Sequence, residues 1–206
     1  MNRRYFLIVL FVPAIFAGCA INTVPAPDSY TINILCATDK PLQKAARLTK
    51  VLKVSMPNSA TAIMSRHILY QDDEFTQNPY AYSKWSDTPN KMLGSLFLSC
   101  INKHAIFKVV LPSYSKGKAD FLLESTLSEF YHHINTDGSS EARVRIEFFL
   151  IAPKHGNVIA TKEFSSTVSA KTLDATGGVR ALSEASGVVA LNLARWLSSL
   201  DDLIIN

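Results

Sequence analysis

ADFLLESTLSEFY, residues 119–131, and RVRIEFFLI, residues 143–151, decide the class of fold. In the first stretch Phe121, Leu123, Leu127 and Tyr131 fall on one side of an extended chain, and Asp120, Glu124, Thr126 and Ser128 on the other. In the second, Val144, Ile146, Phe148 and Leu150 face one way while Arg143, Arg145 and Glu147 face the other. Strands that alternate this cleanly have one buried face and one wet face, the mark of antiparallel rather than doubly covered parallel sheet. Pro153-Lys154-His155-Gly156-Asn157 then reads as a turn, and Val158 to Val168 as the returning hairpin strand.

Working outward, Tyr30 to Leu35 is apolar enough for a strand, and Leu52, Val54 and Met56 alternate with Lys53 and Ser55 up to Pro57. Ile68-Leu69-Tyr70 and Phe107 to Leu111, closed by Pro112, supply two more short strands. Thr88-Pro89 is a helix start with proline at the first helical position, and Met92, Leu93, Leu96, Phe97, Cys100 and Ile101 recur at three- and four-residue spacing behind it. A Gly177-Gly178 break precedes a second stripe of Leu182, Ala185, Val189, Leu193, Trp196 and Leu200. The pattern predicts an α/β chain of the α+β type: a single domain whose mainly antiparallel, mixed sheet of about six or seven strands carries both helices, Thr88–Asn102 and Arg180–Leu200, on one face.

The N-terminus reads as a lipoprotein signal. Arg3 and Arg4 form a positive start, Tyr5 to Phe16 an apolar run broken by Pro13, and Ala17-Gly18 the small residues before Cys19. The run is too short to span a bilayer comfortably. Acyl chains on Cys19 would instead anchor the protein, each buried methylene contributing about 0.8 kcal/mol. Residues 1–18 are therefore expected to be signal peptide, 19–29 a lipidated tether rich in Pro and polar residues, and 30–206 the domain. Ala20 follows the cysteine, which by the sorting rules of enteric-type bacteria favours the periplasmic face of the outer membrane. Loss of Arg3 and Arg4 lowers the formal charge of +4 to about +2, and the remaining basic residues are scattered, so nothing points to nucleic acid. Cys36 and Cys100 remain as an even pair; a bridge is possible, but Cys36 at the end of an apolar run and Cys100 on the apolar side of a helix read as two small buried hydrophobes.

Catalytic and metal-binding patterns are absent. No Gly-x-Ser-x-Gly elbow exists, and Ser95 lies in the first helix. His132 and His133 are adjacent on a strand and point to opposite faces, so they cannot readily share a metal ion. Asp72-Asp73-Glu74 lacks the spacing of a calcium loop, and Gly177-Gly178 lacks the partners of a phosphate loop. No cofactor is expected.

Asn78-Pro79-Tyr80-Ala81-Tyr82-Ser83-Lys84-Trp85-Ser86-Asp87-Thr88-Pro89, with Arg66 upstream and the helix downstream, resembles the tyrosine-to-tryptophan segment of the ABC-type transport auxiliary lipoproteins. The resemblance continues in order through the Tyr30 strand, Pro57, Arg66 before Ile68, the two long strands and the last helix with Trp196, covering about residues 30–200. Phe16, three residues before Cys19, and Lys84, before Trp85, depart from the pattern; the first bears on processing. The resemblance implies a non-enzymatic outer-membrane adaptor whose partners are a protein with mammalian-cell-entry-type (MCE) domains and its ABC permease and ATPase, with a homo-oligomer left open. Arg66, Tyr82 and Trp85 are the candidate partner or inter-subunit residues, aromatics giving large contact area at low entropic cost. A direct carrier holding an acyl chain between sheet and helices, or a structural outer-membrane lipoprotein, are the alternatives.

Overall fold

The computed structural model describes residues 26–33, 36, 48–72, 75–154 and 156–200. Nine strands and two helices follow in the order β1 (Asp28–Tyr30), β2 (Leu48–Val54), β3 (Asn58–Ser59), β4 (His67–Gln71), β5 (Gln77–Trp85), α1 (Pro89–Lys103), β6 (Phe107–Pro112), β7 (Phe121–Ile134), β8 (Ser140–Ala152), β9 (Asn157–Ser169) and α2 (Ala175–Ser198). The three long strands β7, β8 and β9 form an antiparallel meander. The other edge of β7 is shared by three short strands running parallel to it: β2 against Phe121–Leu123, β3 against Thr126–Leu127 and β4 against His132–His133. Beyond them, β6 adds to β2 in parallel, β5 to β4 antiparallel, and β1 to β5 in parallel.

The stepped edge has a local cause. Pro57 has no N–H to continue a ladder, and the break it makes is held by α1: buried Asn90 donates through Nδ2 to the Pro57 carbonyl at 2.7 Å and to Ser59 Oγ at 3.0 Å. Both helices lie on one face, touching each other, with α2 over β7, β8 and β9 and α1 against β2 and β6. Their predicted stripes are buried as expected, Met92 through Ile101 in α1 and Leu182 through Leu193 in α2. Phe97 meets Phe148 edge-on at 5.2 Å, and Phe148, Phe164 and Trp196 continue the contact across the sheet to α2. The outer face of the meander is polar, with Arg145 between Glu129 and Glu163 at 3.1 and 3.3 Å and Arg143 on Glu141 at 2.8 Å.

Several expectations are corrected in detail. The first strand occupies Asp28–Tyr30 rather than starting at Tyr30, and Leu35 lies outside the described residues. Met56 is 45% exposed, because β2 ends at Val54. A bulge between Leu127 and Glu129 shifts the phase of β7, so Phe130 and His132 turn inward and Tyr131 outward. The glycine pair lies inside the first turn of α2, behind the N-cap Asp174, rather than before the helix. β3 and β5 bring the strand count to nine. β3 has only two residues, too few to show a period. β5 carries Pro79, which is tolerated because β1 covers only Ser83–Trp85 and leaves an open edge beside Pro79 among the described residues.

Candidate interaction surface

Arg66 and Trp85 form one unit. The Trp85 N–H donates to the Arg66 carbonyl at 2.8 Å, and Arg66 Nε donates back to the Trp85 carbonyl at 2.9 Å. Tyr30 of β1 pairs with Trp85, and its carbonyl accepts from the Ser86 N–H at 2.6 Å, while its hydroxyl meets Thr176 Oγ1 at 3.0 Å. β1 is thus fastened to β5 and, through Tyr30, to α2. Trp85 is 1% exposed, with its ring 5.7 Å from Phe130. It therefore belongs to the core and offers no side-chain surface of its own. Tyr82, three residues earlier on the open part of β5, is 64% exposed, and Arg66 is exposed as well, so these two members of the predicted set face out. Cys19 lies outside the described residues.

Behind β5 sits a polar cluster that the sequence reading missed. The Tyr80 hydroxyl is 2.8 Å from His132 Nδ1 and donates to the Leu173 carbonyl at 3.2 Å. His132 is fully buried, and Gly178 makes room for it: a Cβ there would lie 2.7 Å from Nδ1. Burial, then the charge of Asp174, then Tyr70 push the Tyr80 hydroxyl up to about 12, and burial holds His132 below its ordinary value. The visible signal was the three-residue step from Leu127 to Phe130, which breaks a period of two and announces the bulge that turns His132 inward. His133 is half-buried on the opposite face, so the two rings are separated as expected.

The other sequence features also find ordinary partners. Ser95 is exposed and donates to the Lys91 carbonyl at 3.0 Å. The Gly177 N–H is taken by the Asp174 carboxylate at 2.9 Å, so the protein caps this helix end with its own anion, and the bond holds the Asp174 carboxyl below the usual carboxylate range. Asp73 and Glu74 lie outside the described residues. Cys36 and Cys100 are bridged, joining the segment after β1 to α1, with His104 Nε2 3.6 Å from Cys36 Sγ. Towards the Phe121 end of β7, an open groove of about 350 Å³ is lined by Val54, Met56, Leu98, Pro112 and Tyr114, with the Asp87–Lys91 ion pair on its rim.

The fold is shared with solved structures. Protein XCC0632 from Xanthomonas campestris, of family model DUF330, matches with a TM-score of 0.76 at 16% identity, covering 84% of this chain and 98% of that one. A second structure, of an uncharacterized protein, matches with a TM-score of 0.65 at 14% identity, covering 84% of this chain and 99% of that one. No curated protein matches the chain. A family model described as "ABC-type transport auxiliary lipoprotein component" matches residues 30–194, from the end of β1 into the last turns of α2. With the ordered series of Tyr30, Arg66, the Tyr82–Trp85 segment and the two helices now placed in one fold, the chain belongs to the ABC-type transport auxiliary lipoprotein component family.

Proposed function

We propose that this protein is a non-enzymatic adaptor, anchored through lipidated Cys19 at the periplasmic face of the outer membrane, which meets an MCE-domain component of an ABC-type lipid or hydrophobic-solute transporter. The observation that carries the reading is the match over residues 30–194. The placement of the tether agrees with it. Cys19 and Asp28 are nine residues apart, a reach of at most about 30 Å. The tether therefore joins the domain at the strand beside exposed Tyr82, where β4 and β5 meet the His132 half of β7. Asp174, Asn90 and Arg145 are used in a helix cap, a core hydrogen bond and ion pairs, an arrangement that supports binding rather than turnover.

Affinity purification of the lipidated protein from membranes tests the proposal. Recovery of a transporter subunit in stoichiometric amount supports it, whereas a clean monomer that hydrolyses an ester or glycan substrate refutes it.

A further inference from the structure

Cys36, Cys100 and His104 form a cluster that the transport role does not use. All three are buried, at 5, 0 and 5% exposure, and their ligand atoms lie within 4.8 Å of one another. Cys100 and His104 are four residues apart on the last turn of α1 and its C-cap, so they share one face. Zn–S bonds of about 2.3 Å and Zn–N bonds of about 2.0 Å put the donors of one tetrahedral ion about 3.5 Å apart. The Cys36 Sγ to His104 Nε2 distance is 3.6 Å.

Contacts besides the bridge also hold the cluster's surroundings. Lys103 Nζ donates to the Cys36 carbonyl at 3.0 Å, the Asn33 N–H donates to Ser183 Oγ at 2.8 Å, and Ile32 is 1% exposed in the core. These three contacts tie Cys36 to α1, Asn33 to α2 and Ile32 to the core beside the bridge. Two thiolates would cancel the charge of a divalent ion, so the filled site adds no net charge to the core.

We propose that Cys36, Cys100 and His104 are a redox-gated site for a thiophilic divalent cation such as Zn²⁺, closed while the sulfurs are bridged and opened by a dithiol reductant. Reduction breaks the S–S bond, takes up two electrons and two protons from the dithiol, and leaves two thiols and an oxidised dithiol. The cation then displaces both thiol protons and binds the two thiolates and His104 Nε2, with one position open. A disulfide oxidant takes the two electrons back and is itself reduced, the Cys36–Cys100 S–S bond re-forms, and the cation leaves to solvent.

The test uses the full chain, reduced with a phosphine and titrated with Co²⁺ as a spectroscopic probe. The expected result is one Co²⁺ per chain with thiolate-to-cobalt charge-transfer absorption, displaced by Zn²⁺ and lost when diamide restores the bridge. His104→Gln, which leaves the cysteines untouched, should weaken binding about tenfold or more, and Cys100→Ser should remove the charge-transfer band. Absence of that band in the reduced wild-type protein overturns the proposal, as does a His104→Gln chain of unchanged affinity and spectrum. Both decisive readings avoid the cysteine variants, so a folding failure in Cys100→Ser does not blur them.

Discussion

Trp85 and Tyr82 lie three residues apart on one strand and do different work. Trp85 fills the core against Phe130, and its backbone is clamped by Arg66. Trp85→Ala should therefore cost about 3–5 kcal/mol of stability, read as a lower urea midpoint at unchanged slope. Tyr82→Ala, at a site 64% exposed, should change stability by no more than about 0.5 kcal/mol yet reduce recovery of the transporter subunit from membranes. Loss of that subunit in neither variant would remove Tyr82 from the proposed interface. Gly178 is decided by space rather than by turn geometry. Gly178→Ala places a methyl 2.7 Å from His132 Nδ1, beside a ring that has no empty volume to enter. Overpacking of this kind costs about 1–3 kcal/mol, measurable by thermal melting.

At the level of elements, two junctions hold the sheet to its helices. The Cys36–Cys100 bridge closes 64 residues of sequence separation, so the Cys36→Ser/Cys100→Ser double variant should lose about 2–4 kcal/mol in denaturant unfolding. His132, between β7 and the first turn of α2, and His104, at the end of α1, are both held below the ordinary 6.5, burial being the first cause in each. In the folded state they bind fewer protons than in the unfolded chain below that pH. Their contribution to stability is full above about 6.5 and is lost as pH falls towards their folded values. A series of melts across that window should show the decline, and His132→Gln should flatten part of it. The elements most legible in the sequence were those with local periods: α1 with its Thr88-Pro89 start, the stripe of α2, and the meander of β7, β8 and β9. Those that escaped depend on distant partners. β3 and β5 gain their identity from pairing with β7 and β4, the start of α2 from the meeting of Gly178 with His132, and the Cys36–Cys100 bridge from the docking of the N-terminal segment on α1. Tyr80, apolar in pattern and polar in use, could be recognised only once β4, β5 and β7 were side by side.

On the scale of the whole molecule, β1 lies against the Trp85 end of β5, and the groove lined by Met56 and Tyr114 begins close to it, because Ser86, whose N–H donates to the Tyr30 carbonyl, is followed by groove-lining Asp87. With Cys19 lipidated as proposed, a reach of at most about 30 Å from Cys19 to Asp28 would keep the β1–β5 end close to the membrane. In the proposed adaptor role the anchor brings the domain to its partner, because it would set the local concentration of the domain at the membrane. Cys19→Ser should therefore leave the thermal stability of the domain unchanged, move the protein from the membrane fraction to the soluble periplasmic fraction, and abolish an acylated N-terminus seen by mass spectrometry in the wild type. Capture of the transporter subunit should fall with it, although every residue of the folded surface is intact. A wild-type chain without acyl mass, or a Cys19→Ser chain that captures the subunit as well as wild type does, would show that the address is set by something other than Cys19.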